Sequence, residues 1–206
     1  MNQMKQLDPA VTAAITDAVR ELEKCSCAEV VVEVRARSGS YGHADARFAS
    51  LVAFVALLVL LFSPWPFHPM WVAIDVALVW FAGVFTARRS DGARRLMTAE
   101  RERETQVRVL AASVFHDRGV AHTAGETGVL VYLSMMERRL ELLADRGVLE
   151  SLPTLEWNRL SARGGESTTE TLLAVIRELT PLLERYMPIG EGDQDELCNV
   201  PRFVSE

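Results

Sequence analysis

Cysteine is scarce. Cys25, Cys27 and Cys198 are the only three in 206 residues, too few and odd in number for a disulfide framework. Cys25 and Cys27 form a C-x-C ahead of a predicted strand. Reduced thiols are the simpler reading, because a metal site needs further ligands and the neighbouring sequence offers none. Positive charge is not in excess either. The net charge of -6 argues against a nucleic-acid binder, which would present a basic surface. The opening MNQMKQLDPAV has no apolar stretch and runs directly into an amphipathic pattern, so a cleaved export signal is not expected. The sequence has no G-x-S-x-G, no P-loop, no G-x-G-x-x-G and no H-E-x-x-H. Neither Cys25 nor Cys27 precedes an Arg-ended phosphate loop. The four histidines, His43, His68, His116 and His122, are scattered.

The most telling absence is charge between Arg47 and Arg88, where Asp75 is the single exception. From Phe48 to Phe62 only Ser50 is polar, and about 15 residues of helix reach roughly 23 Å. Arg47 can snorkel and so lengthen the span. A second apolar run covers Met70 to Thr86, and SPWPFHP lies between the two. Pro64, Pro66 and Pro69 are expected to stop helices, while Trp65 and Phe67 suit a headgroup layer. A link this short makes the helices antiparallel. Neither has a polar face, and a chain of this size has too little mass to surround them both. The expectation is a transmembrane hairpin over 48–86 in contact with the lipid bilayer. Arginines flank it on both sides and the connecting loop has none, which places both termini in the cytoplasm of a multi-pass inner-membrane protein. Asp75 reads either as an interfacial or helix-contact residue or as part of a relay. A relay needs an intramembrane partner, which the first span does not supply.

The flanking segments read as α/β. Asp8-Pro9 starts a helix, with Val11, Ile15, Ala18, Val19 and Leu22 as its apolar stripe. Glu29–Arg35 is a short β-branched strand, and Ser38-Gly39-Ser40 turns out of it. Ser90-Asp91-Gly92 breaks the chain before a charged helix from about Thr98 to Asp117, with Gly119 as its C′ residue. On that helix Glu100, Arg101, Glu102, Arg103 and Glu104 read as a solvated face. Gly128–Ser134 and Arg139–Ala144 form an antiparallel strand pair. Leu155–Leu160 is a short helix. Ser167-x-x-Glu170 is a capping-box pattern opening a helix through about Tyr186. The expected architecture is an α/β/α sandwich around a small mixed sheet. One discontinuous domain would span 8–47 and 90–188, and an acidic tail over 189–206 would be disordered.

Three stretches carry a resemblance. They are Glu29–Arg35 with Ser38-Gly39-Ser40-Tyr41; Phe115, Gly119, Thr123 and Thr127–Ser134; and Glu137–Val148 with Trp157 downstream. Together they resemble the TPM domain family, named for a thylakoid lumen protein, a photosystem II repair protein and a nematode receptor modulator. The likeness covers about residues 10 to 188 and is nearest to a bacterial membrane-anchored branch. It implies an α/β/α sandwich and a role in assembly, repair or quality control of membrane complexes. It also implies divalent-cation binding in some members and a proposed acid phosphatase activity in plant members. The family's Gly-Tyr-Gly-Leu-Glu stretch aligns with Asp145–Leu149, where only Gly147 is kept.

Asp145 is the foremost site residue, because loops at strand ends carry function on α/β scaffolds. Glu29 and Asp117 are its expected neighbours. A carboxylate cluster of this kind, if it holds a metal, suits Ca²⁺ or Mg²⁺. The plainer alternative for Asp145 is a turn residue bonding the backbone before Gly147. His116-Asp117 and His122 bracket a helix end, where histidines also serve as simple caps. The leading expectation is a non-enzymatic, membrane-anchored cytoplasmic module that binds a protein partner. A metal-dependent phosphatase-like hydrolase using Asp145 is the alternative, and a transport or sensing subunit built on Asp75 is a third.

Overall fold

The structure, a computed structural model, describes residues 9–204 except 66, 124, 164–166, 191–196 and 198–199. It is a mixed α/β chain that divides into two units, one built from 3–38 with 104–206 and the other from 39–103. The described elements of the first unit begin with α1 (Pro9–Glu23), β1 (Glu29–Arg35) and α5 (Glu100–Asp117, from Glu104 onward). They continue with β2 (Gly128–Ser134), β3 (Arg139–Ala144), α6 (Arg146–Ser151), α7 (Thr154–Ser161), α8 (Thr169–Tyr186) and β4 (Arg202–Val204). The second unit holds α2 (Gly42–Leu61), α3 (Pro69–Arg89) and α4 (Asp91–Met97).

The described sheet has the order β3-β2-β1-β4. β1 and β2 run parallel with Glu29 opposite Gly128 and Arg35 opposite Ser134, while β2 and β3 are antiparallel. Strands buried on both faces read as continuous apolar runs, and EVVVEVR and GVLVYLS do so except where a charge or hydroxyl intervenes. On one face Val30, Val32, Val34, Val129, Val131 and Leu133 pack against Ile15, Val19 and Leu22 of α1 and Leu172, Ile176 and Leu179 of α8. On the other, Leu130 and Tyr132 meet Val107, Ala111, Val114 and Phe115 of α5. Each fully buried Leu or Ile contributes roughly 1.5–3 kcal/mol, so the α1–α8 face is the main source of stability.

Several local expectations are corrected. Pro69 does not stop a helix but opens α3, with the His68 side chain accepting from the Met70 N–H. Proline fits the first helical turn because its missing N–H would have no helical partner there. Ser90-Asp91-Gly92 does not simply break the chain. The Ser90 hydroxyl accepts from the Ala93 N–H and starts α4, which the sequence reading did not anticipate. The cap of α8 sits one residue later than Ser167, with Thr168 and Thr171 forming the reciprocal pair. Ser167 is buried instead, its N–H donating to the Arg138 carbonyl at 2.7 Å. The proposed cap Asp8 lies outside the described residues, as does much of the tail, Cys198 included. The tail is not wholly without structure, because Arg202–Val204 adds to the free edge of β1 in parallel register. An open edge offers unpaired backbone groups, and the β-prone Arg-Phe-Val segment satisfies some of them. Gly119 takes a left-handed conformation after α5 as expected, at φ 71°.

α2 and α3 are long and apolar enough to cross a membrane, and only 22% and 11% of their most apolar windows are buried. Where they touch, the residues are small. Gly83, Ala49, Ala53 and Ala87 are buried, and a Cβ placed on Gly83 would come within 2.9 Å of the Ala49 Cα. The Trp80 indole N–H also reaches the Ser50 hydroxyl at 3.3 Å. Leu, Phe and Val side chains point away from this seam, among them Phe54, Val59, Leu78, Phe81 and Phe85. At the base of the pair, buried Asp45 of α2 receives both Nε and Nη2 of Arg94 from α4, at 2.8 and 2.9 Å. Gly83→Leu should force the helices apart and cost about 1–3 kcal/mol by overpacking, while Ala82→Leu on the exposed side should be neutral. Thermal unfolding of the detergent-solubilised chain checks this. Equal midpoints for the two variants would show that the seam does not pack as described.

Candidate functional site

β1 and β2 end side by side, and loops at the carboxyl ends of parallel strands are where open α/β sheets place their ligands. Alternation along β1 turns Glu33 toward the α5 side, where it pairs in register with Tyr132. Glu33 is 0% exposed, and a buried carboxylate must be compensated. One oxygen takes the Arg35 Nε at 2.6 Å and the other takes Nε and Nη2 of Arg118 at 3.0 and 2.9 Å. The fork of Arg118 gives this second contact directional strength.

Beside the ion pairs lies a buried hydroxyl network. The Ser38 hydroxyl contacts both the Tyr132 hydroxyl and the Ser134 hydroxyl at 2.7 Å. The Ser134 hydroxyl donates to Glu137, whose other oxygen accepts the Ser38 N–H at 2.8 Å. Backbone bonds from Met135 to the Arg35 carbonyl and from Met136 to the Ala36 carbonyl, both 2.9 Å, complete the junction. The network therefore locks the chain leaving β1 to the β2–β3 turn. It binds and orients its own loops. The sequence reading did not assign Glu33, Arg35, Arg118, Ser38, Tyr132, Ser134 or Glu137 to a site. The available signal was a carboxylate in the middle of an otherwise apolar strand.

The expected site residues lie elsewhere. Asp145 follows β3, and its N–H donates to the Gly128 carbonyl at 2.8 Å. Its side chain caps α6, with Oδ1 accepting the Arg146 N–H at 2.8 Å. Oδ2 is buried without a hydrogen-bond partner among the described residues. Gly147 is needed two residues on, since a Cβ there would sit 2.8 Å from the Glu126 carbonyl oxygen and 2.9 Å from that of Gly125. Glu29 is buried and accepts the Leu197 N–H at 3.2 Å. Asp117 is exposed and accepts from Ser113. Asp145, Glu29 and Asp117 are not assembled into a metal centre, and among the described residues no group of three or more His, Cys, Asp or Glu side chains is placed to hold an ion. One orphaned carboxylate oxygen is not a ligand set for Ca²⁺ or Mg²⁺, which take six or more oxygens.

Asp75 is exposed on α3. His43 pairs with Glu102 at 3.0 Å, and Glu104 lies 3.6 Å from Arg139, so the charged start of α5 is more than a solvated face. Burial pushes the Cys25 thiol up, which disfavours the reactive thiolate.

The fold and its polar junction define a mixed α/β domain with a pair of apolar helices between its two sequence segments. No protein-family model matches the chain, and no curated protein matches it. Among solved structures it is similar to the BA42 protein from the psychrophilic bacterium Bizionia argentinensis, known from an NMR structure. The TM-score is 0.57 and the identity 16%, covering 98% of each chain. At that identity the likeness shows a shared fold.

Burial pushes the Tyr132 phenol up to about 12 from its ordinary 10.0, opposed by the Ser38 hydrogen bond and by Arg35. The unfolded chain releases this proton near pH 10 and the folded chain near 12, so the contribution is intact below the lower value. Stability should fall as pH rises through that window, by up to about 1.4 kcal/mol per pH unit. Tyr132→Phe should cost about 1 kcal/mol at neutral pH and show a shallower decline. Denaturant unfolding of the full chain at pH 9 to 11.5 reads both effects. Parallel declines would remove Tyr132 as their source.

Proposed function

We propose that this protein is a membrane-anchored module of the TPM type. An α/β/α sandwich in the bacterial cytoplasm binds a partner protein in assembly, repair or quality control of membrane complexes. The observation that carries the reading is the surface of α2 and α3, which are closely packed on each other through small residues and otherwise expose Phe, Leu, Val and Trp. Water penalises such a surface, and hydrocarbon does not. Arginines flank the pair and the connecting loop has none, which supports a multi-pass inner-membrane placement with both termini inside. The buried charges at the carboxyl ends of β1 and β2 serve internal pairing, which suits a rigid recognition scaffold. Leu155, 83% exposed on α7, offers apolar surface for a protein to cover.

Single cysteines at Ser63 and Ser161 in a cysteine-free variant test the placement. An impermeant thiol reagent on intact cells should label position 63 and spare position 161. External labelling of 161 would reverse the orientation.

The orphaned Asp145 Oδ2 favours a second reading, a metal-dependent phosphatase-like hydrolase. Metal catalysis would require this carboxylate to hold an ion or act on water. A binding module predicts no metal-stimulated phosphatase activity above a mock preparation, and Asp145→Asn then shifts only stability, by about 1 kcal/mol. Robust activity that vanishes in Asp145→Asn at unchanged melting would favour the hydrolase. Affinity capture from native membranes, repeated with Leu155→Glu, identifies the partner and tests the surface.

A further inference from the structure

We propose that the base of the α2–α3 pair is a binding site for anionic phospholipid headgroups, built by Arg88 and Arg89 with Arg47 beside them. The proposal rests on the membrane reading above.

Charge distribution is the first observation. Residues 39–103 carry seven arginines against five carboxylates, in a chain whose net charge is -6. The positive charge is gathered in the segment with the apolar helices, while the rest of the chain is strongly acidic. Along that segment the arginines sit at the base, next to the point where exposed apolar surface ends.

The second observation is that the base is constructed. Asp45, 4% exposed, takes the Arg94 fork at 2.8 and 2.9 Å, and Arg88 Nε lies 4.0 Å from its other side. An Arg47 Nη donates to the Met97 carbonyl at 3.4 Å, and the Thr98 hydroxyl donates to the Arg94 carbonyl at 2.8 Å. The Asp45–Arg94 and Arg47–Met97 bonds clamp α4 to the foot of α2, and the Thr98 bond closes the end of α4 on itself. Arg89 lies over the Phe85 ring at 3.7 Å, which holds its guanidinium beside an exposed aromatic. Asp45 satisfies Arg94, and the exposed Arg47, Arg88 and Arg89 face solvent with donors in reserve. Leu96 of α4 is 77% exposed at the same base, so apolar and cationic groups alternate there as an interface requires. Guanidinium groups match phosphate oxygens in a fork geometry that neutral headgroups with a balancing ammonium serve less well.

Asp45 is thus a positioning residue, and its role has a sign that simple attraction does not share. Asp45→Asn makes the segment more positive. Unspecific attraction would then strengthen preference for anionic lipid, whereas loss of the clamp on α4 would weaken it.

The test uses the full chain reconstituted in vesicles of equal phosphatidylcholine and phosphatidylglycerol, then extracted mildly. Retained lipid is quantified by mass spectrometry, and insertion is checked by resistance to alkaline extraction. The wild type should retain phosphatidylglycerol in clear excess. Arg88→Gln/Arg89→Gln should reduce that excess about tenfold while remaining inserted. Asp45→Asn should reduce it too. Equal retention of the two lipids by an inserted wild type would overturn the site and leave the anchor standing. A wild type stripped by alkali would overturn the membrane reading itself. An undiminished excess in the double variant would show that these arginines do not hold the lipid and would overturn the site, and a greater one in Asp45→Asn would leave only unspecific attraction. Glycerol phosphate that displaces the lipid at matched concentration would show a free-anion site, contrary to the proposal.

Discussion

The parallel pairing of β1 with β2 is the constraint on which the domain depends. These strands lie almost a hundred positions apart, yet their register runs unbroken from Glu29 and Gly128 to Arg35 and Ser134. Parallel strands cannot be joined by a tight turn, so the chain must make an excursion between them. In most α/β units a helix suffices. Here the excursion holds α2, α3 and α4 before α5 returns to cover the sheet. The entropy of closing so long a loop rises only slowly with its length, which is why the excursion is tolerated.

The two sheet faces meet different chemistry as a result. Against α1 and α8 the contacts are aliphatic and many. Against α5 they are mixed, because alternation along β1 and β2 sends Glu33, Tyr132 and Ser134 to that side. A buried carboxylate is costly unless fully compensated, and Arg35 and Arg118 compensate Glu33 from a neighbouring position and from the end of α5. Ser38, Ser134 and Glu137 do the same for the two loops at the strand ends. Polar networks of this kind are specific because a half-satisfied version is worse than an apolar one. The junction fixes the point where the chain leaves β1.

Much of this was legible in residue pattern. β1, β2 and β3 fall on their expected residues, because β-branched runs bounded by turn signals have few alternatives. The stripes of α1 and α8 were legible from their 3.6-residue period. α4 was not, since Asp91-Gly92 reads as a breaker and only the Ser90 cap and the Asp45–Arg94 clamp make it helical. α6 was missed because Asp145 reads as a turn residue or a ligand, and the six-residue helix it caps is too short to show a period.

The sequence by itself determined that residues 48–86 carry almost no charge, that the flanking segments alternate helix and strand, and that no familiar catalytic motif is present. These are one-dimensional properties, set by local propensity and hydrophobic period. Only the tertiary structure decided that Glu33 meets Arg118 across 85 positions, that Asp45 meets Arg94 across 49, and that Asp117 and Glu29 do not gather around Asp145. Charge pairing is short-ranged in a folded chain and indifferent to sequence separation. Which arginine reaches which carboxylate is therefore fixed by strand register and helix packing, and is not written in the spacing of the residues themselves.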